Sequence, residues 1–155
     1  MPRIIVLDTG PLGLASKAAG KPDVARCLAW IQTLDAAGAR IVAPEISDYE
    51  VRRELLRVPA RAGLFRLDML EADLDYEPLT TAAMRRAAEF WVLIRRAGVP
   101  TADPSALDAD CILAAQAALL GGPGDTVTIA TTNAVHRGRF PGIDARQWDT
   151  ITMSA

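Results

Sequence analysis

Apolar and polar positions alternate between two rhythms along this chain. The first is a continuous apolar run, Ile4-Ile5-Val6-Leu7, which ends on Asp8 and a Thr9-Gly10-Pro11-Leu12-Gly13 connection. A run without polar interruptions predicts a strand covered on both faces, as in the interior of a parallel sheet. Arg40-Ile41-Val42-Ala43, ended by Pro44, and Thr126-Val127-Thr128-Ile129-Ala130-Thr131 predict two more strands. Short ones are expected at Asp75 to Leu79 and within Phe140 to Ile151.

The second rhythm is helical. Val24, Cys27, Leu28, Ile31 and Leu34 share one face of a helix expected from an Asp23 cap to Ala37, with Gly38 as its stop and a loop from Ser16 to Pro22 before it. Ser47 and Asp48 are capping residues, which places Glu50 in the first turn of the next helix. Leu64, Leu67 and Leu70 mark a helix over Ala62 to Asp75. Thr80 or Thr81 caps another over Ala82 to Ala97, with Met84, Ala87, Trp91 and Ile94 on its core face. After a loop from Val99 to Ser105, the run Ala106-Leu107-Asp108-Ala109-Asp110-Cys111-Ile112 opens a helix that ends at Gly121-Gly122. Strands alternating with helices predict a single α/β domain over residues 1–155, a three-layer α/β/α arrangement with a mainly parallel sheet.

Composition narrows the class. Half of the 155 residues are apolar and 23% are charged, as in a folded, soluble domain. No apolar run approaches the roughly 20 residues of a membrane span, and the opening strand leaves no room for a signal-peptide pattern. Cys27 and Cys111 fall in helical apolar patterns, which fits small core residues and a reducing, cytoplasmic setting. A formal net charge of −2 excludes a protein that coats nucleic acid by bulk attraction.

The candidate chemistry lies where strands end. Asp8 leaves the first strand at the edge where open α/β sheets bind ligands. It either caps its own turn or holds a cation. Glu50 and Asp110 stand at expected helix starts, where acids also suit the positive end of the helix dipole. Asp108 is the natural cap of its helix. Because residues two apart do not share a helix face, Asp110 is the one assigned to the pocket. Thr131 and Asn133 are neutral hydrogen-bonding groups at the end of the late strand, and His136 is a lone histidine beside them. In the expected fold Asp8, Glu50 and Asp110 meet at one sheet edge with Asn133 across from them. Three clustered carboxylates raise one another's pKa values, and an oxygen-seeking divalent ion such as Mg²⁺ or Mn²⁺ relieves this. Such an ion supports phosphodiester hydrolysis. Arg52, Arg53, Arg57, Arg61, Arg137 and Arg139 flank these acids and are candidates for holding substrate phosphates.

Four blocks, Ile5-Val6-Leu7-Asp8-Thr9-Gly10-Pro11-Leu12, Ser47-Asp48-Tyr49-Glu50-Val51-Arg52-Arg53, Leu107 to Ala117 and Thr131-Thr132-Asn133, resemble the successive motifs of PIN domains. The resemblance is to the small single-domain type that includes VapC-type toxins. It implies a metal-dependent endoribonuclease in which water activated by Mg²⁺ or Mn²⁺ attacks phosphorus in line, leaving 5′-phosphate and 3′-hydroxyl ends. It further implies that Asp8, Glu50 and Asp110 are the metal ligands, with Asp108 as an auxiliary. Thr131 and Asn133 would orient water or the scissile phosphate. A homodimer and inhibition by a small antitoxin are implied as well. The alternative is a PIN-like module that binds RNA or protein without cutting. A haloacid-dehalogenase-type phosphatase would need an aspartate where Gly10 stands, and a dinucleotide-binding domain would need a glycine fingerprint that Gly10 and Gly13 do not supply.

Overall fold

The computed structural model describes residues 3–98 and 104–153. Five strands, β1 (Arg3–Leu7), β2 (Arg40–Pro44), β3 (Asp75–Glu77), β4 (Thr126–Thr131) and β5 (Asp144–Gln147), form one sheet in the order β3-β2-β1-β4-β5. All four pairings are parallel, with Ile5 opposite both Ile41 and Thr128. Helices α1 (Thr9–Ala15), α2 (Pro22–Ala36), α3 (Glu45–Arg57), α4 (Arg61–Asp73), α5 (Thr81–Arg96), α6 (Pro104–Ala118) and α7 (Ala134–Arg137) connect them, and a 3₁₀ turn, Trp148–Thr150, follows β5.

The unbroken apolar run of β1 explains the layers. Side chains alternate across a strand, so Ile5 and Leu7 face one side and Ile4 and Val6 the other. Ile5 and Leu7 join Leu12, Cys27, Ile31, Leu34, Val51 and Leu67 in a core under α1 to α4. Ile4 and Val6 join Val42, Ile129, Leu113 and Ala117 under α6. Helix α5 packs on α6 through Ala87, Phe90, Ile94, Cys111 and Ala114.

Connectivity then fixes where a ligand goes. The chain steps outward from β1 to β2 and β3, then returns through α5 and α6 to β4 on the other side of β1. Such a reversal opens a crevice outside the carboxyl ends of the two central strands. Asp8 follows β1 at this point, and Thr131 closes β4. Close packing extends to the loop: a Cβ on Gly10 would lie 2.8 Å from both Cγ2 and Oγ1 of Thr132, so only glycine lets α1 start this near the end of β4.

Several local expectations shift for identifiable reasons. The connection after Asp8 is helical, with Asp8 as its N-cap. Helix α2 starts at Pro22, whose fixed φ suits a first helical position, so Asp23 lies in the first turn rather than at the cap. Pro44 caps α3, which therefore begins at Glu45; Glu45 and Asp48 are the first-turn acids and Glu50 sits beyond them. On α5 the buried face is Ala83, Ala87, Phe90 and Ile94, whereas Met84 and Trp91 are exposed. The loop expected from Val99 to Ser105 falls mostly outside the described residues. Its last two positions already belong to α6, so neither Asp108 nor Asp110 is at that helix's start.

Candidate active site

Asp8 is the hub. Its side chain is 4% exposed, at the N-terminus of α1. Oδ1 accepts from the Thr9 backbone N–H at 2.7 Å, as expected of a cap, so the capping reading is realised. Oδ2 accepts from the Thr131 hydroxyl at 2.6 Å and from Arg137 Nε at 2.8 Å. A cap needs neither of these. Thr131 is positioned in turn by the Asn133 backbone N–H, which donates to its Oγ1 at 2.9 Å.

The other two acids join the hub through intermediaries. The Thr9 hydroxyl donates to Glu50 Oε1 at 2.9 Å, so one residue ties the caps of Asp8 to the side chain of Glu50. Helix α3, which carries Glu50, is anchored from below by buried Gln116 of α6: its Oε1 accepts from Ile46 N–H and its Nε2 donates to the Glu77 carbonyl. Arg137 Nη1 donates to Asp110 Oδ1 at 2.6 Å, and Arg139 Nη2 reaches Asp110 Oδ2 at 3.3 Å. Asp8, Glu50 and Asp110 thus come from three distant segments to one end of the sheet. Thr131 joins them directly and Asn133 through its backbone. Asp108 is exposed and lines the groove between α5 and α6 instead.

The electrostatics of the cluster favour a cation. Burial raises the pKa of Glu50, and neighbouring Asp8 adds to the rise against the opposing Thr9 hydrogen bond and the Arg53 and Arg137 charges. Burial likewise raises Asp110 with Asp8 adding, although Arg137 and Arg139 oppose it. Burial works against the Arg137 charge, but Asp8 and Asp110 outweigh it and hold that guanidinium firmly protonated. The donors are carboxylate oxygens, the chemistry that suits Mg²⁺ or Mn²⁺. Among the described residues no three acid, histidine or cysteine side chains stand close enough to cage one ion, and the Arg137 guanidinium lies between Asp8 and Asp110.

Two site features escaped the sequence. Thr9 was legible only as a turn residue, although its place beside Asp8 was a signal. Arg137 and Arg139 read as phosphate binders, whereas here they pair with the acids. The arginines after Glu50 differ more. Arg52 is held by Asp48, Asp68 and Glu71, and Arg57 by Glu54. Arg53 stacks on Tyr49 and lies 3.6 Å from Glu50. His136 is exposed, with Nδ1 3.4 Å from Arg139 Nη1.

A family model described as PIN domain matches residues 5–136. The fold is similar to a crystal structure of VapBC2 from Rickettsia felis bound to a DNA fragment from its promoter, with a TM-score of 0.69 at 14% identity over 92% of this chain and 97% of that one. It is similar also to DNA-bound VapBC from Salmonella typhimurium, with a TM-score of 0.63 at 20% identity over 96% and 99% of the two chains. A third similar structure is Mycobacterium tuberculosis VapC20, described as a sarcin-ricin loop cleaving toxin, with a TM-score of 0.59 at 16% identity over 88% and 95%. Comparison with curated proteins gives no match.

Proposed function

The chain belongs to the PIN domain family, and from that membership we propose that it is a metal-dependent endoribonuclease, the toxin of a toxin–antitoxin pair. The observation that carries this reading is the meeting of Asp8, Glu50 and Asp110 at the crevice beside β1 and β4, joined through Thr9, Thr131 and Arg137. Buried acids with raised pKa values, as at Glu50 and Asp110, are what a catalytic pocket awaiting a cation would hold.

Asp8, Glu50 and Asp110 would hold Mg²⁺ or Mn²⁺, whereas Asp108 lies in the groove between α5 and α6 and is not placed to assist them. When bound, the ion supplies charge stabilisation at a phosphoryl oxygen and makes water a stronger nucleophile. The remaining work falls to the protein. Thr131 fixes the Asp8 carboxylate, and Thr9 fixes Glu50 relative to it, so that two ligands from separate segments keep one spacing. Asn133 is exposed at the mouth, where its side chain can orient a scissile phosphate. The expected products carry 5′-phosphate and 3′-hydroxyl ends.

An RNA substrate, a small antitoxin and a homodimer complete the proposal. Exposed Met84, Trp91, Val92 and Leu93 on α5, beside a groove of about 450 Å³ between α5 and α6, offer an apolar surface for self-association. No helix among the described residues is long and apolar enough to cross a membrane, and Cys27 and Cys111 are unpaired and buried, which supports a cytoplasmic setting. One observation favours a second reading, a PIN-like module that binds without cutting: Arg137 and Arg139 together already offset the charges of Asp8 and Asp110.

Incubation of the protein with structured RNA in Mg²⁺ or Mn²⁺ separates the two. Cleavage is expected for the parent, and at least about a hundredfold less for Asp8→Asn or with chelator. Cleavage that survives both, or none in the parent, contradicts the nuclease reading.

A further inference from the structure

Each carboxylate oxygen of the two aspartates in the crevice already has a donor. Asp8 Oδ2 accepts from both Thr131 and Arg137, and Asp8 Oδ1 accepts from Thr9 N–H. Asp110 Oδ1 is taken by Arg137 and Oδ2 by Arg139. One guanidinium therefore spans the two aspartates through Nε and Nη1, at 2.8 Å and 2.6 Å. The Arg137 side chain is 16% exposed and that of Asp110 13%, so this pairing is held where solvent screens it weakly. A carboxylate oxygen offers about two lone-pair sites, and both of those on Asp8 Oδ2 are already used.

We propose that Arg137 is a resident countercation of the crevice, and that a divalent ion binds by displacing its guanidinium from Asp8 and Asp110. The inference rests on the reading of these acids as a metal site. A divalent charge placed between the same carboxylates would sit beside a fixed positive charge and would lack a free oxygen on Asp8 Oδ2. Both obstacles disappear when Arg137 swings away. Arg137 ends the four-residue helix α7, beside Gly138 and near the exposed Val135, and in the proposed exchange its side chain turns outward from there. Arg139 holds Asp110 from the other side, at the longer distance of 3.3 Å, and can stay. Exchange makes the metal affinity of this chain lower than its acids alone would give, and it keeps the pocket neutral at low metal concentration.

The test compares Mn²⁺ binding, by calorimetry or by the paramagnetic signal of the free ion, to metal-stripped full-length parent and Arg137→Gln. Arg137→Gln should bind Mn²⁺ at least tenfold more tightly. Equal or weaker binding by the variant, with clear binding by the parent, overturns the exchange while leaving the metal site intact. Binding by neither, even at millimolar Mn²⁺, defeats the metal reading itself. A second measurement uses the parent alone, in case the variant does not fold. The Arg137 Nε–H resonance, followed by nitrogen-edited NMR, should start shifted and slow to exchange with solvent. It should move to the position of a free arginine as Mg²⁺ saturates the site. A resonance that stays put at saturating Mg²⁺ also overturns the exchange.

Discussion

Two arginines in this molecule are each held by several acids, and they do opposite things. Arg137 spans Asp8 and Asp110 across the end of the sheet, joining residues 129 and 27 positions away. Arg52 joins Asp48, Asp68 and Glu71 between the neighbouring helices α3 and α4. The crevice sets three acids, Asp8, Glu50 and Asp110, against three arginines, Arg137, Arg139 and Arg53. The helix clamp sets three acids against one arginine. Its surplus is partly relieved by a proton: burial, followed by the neighbouring Asp48, pushes the Glu71 pKa up to about 8. The Glu71 side chain is 9% exposed, which makes a bare charge there costly. A clamp that draws on a proton to ease its excess of acids is a structural device. A cluster balanced by arginines is where the proposed exchange of Arg137 for another cation would take place.

The sharpest break between the two is expected from removing the arginine of the clamp. Arg52→Ala should cost about 2 kcal/mol in urea unfolding, less than a fully buried pair because Arg52 is one-third exposed. It should leave metal binding unchanged. A variant as stable as the parent would mean that the clamp is ornamental.

A smaller effect is expected from pH. Glu71 binds its proton more tightly in the folded protein than in the unfolded chain, so its contribution to stability is greatest at low pH and falls as pH rises from about 4.5 to about 8. Asp48 goes the other way. Burial would raise its pKa, but hydrogen bonds from Arg52 and Glu71 outweigh burial and lower it, so its contribution is lost only as pH falls below the ordinary aspartate range. Glu71→Gln should therefore flatten the fall in stability between pH 5.5 and pH 8. Chemical denaturation at the two pH values measures it, and an unchanged difference would remove the proton from the account.

The same contrast separates what was legible in the sequence from what was not. β1 and β4 were legible because apolar runs ending on polar residues have few other readings, and with them came Asp8, Thr131 and the three-layer arrangement. Glu50 was assigned to the crevice, yet its helix was misjudged: Pro44 reads as a stop but acts as the cap of α3. On α5 Ala87 and Ile94 are buried as expected, but Ala83 and Phe90 take the places of Met84 and Trp91, because each pair of neighbours is apolar and periodicity cannot choose between them. Arginine partners were the least legible. The pairing of Arg52 with Asp48 obeys the helical i, i+4 rule, whereas that of Arg137 with Asp8 depends on strand order in the sheet. Charge pattern along the chain carries no such information.

The proposed function has Asp8, Glu50 and Asp110 acting together on one divalent ion. The most direct measurement is the melting temperature with and without Mn²⁺ for the parent, Asp8→Asn, Glu50→Gln and Asp110→Asn, with Asp68→Asn of the clamp as the control. The account predicts that Mn²⁺ raises the melting temperature of the parent and the control by the same amount and leaves the three crevice variants unmoved. A full shift in any of those three, or its loss in the control, would contradict it.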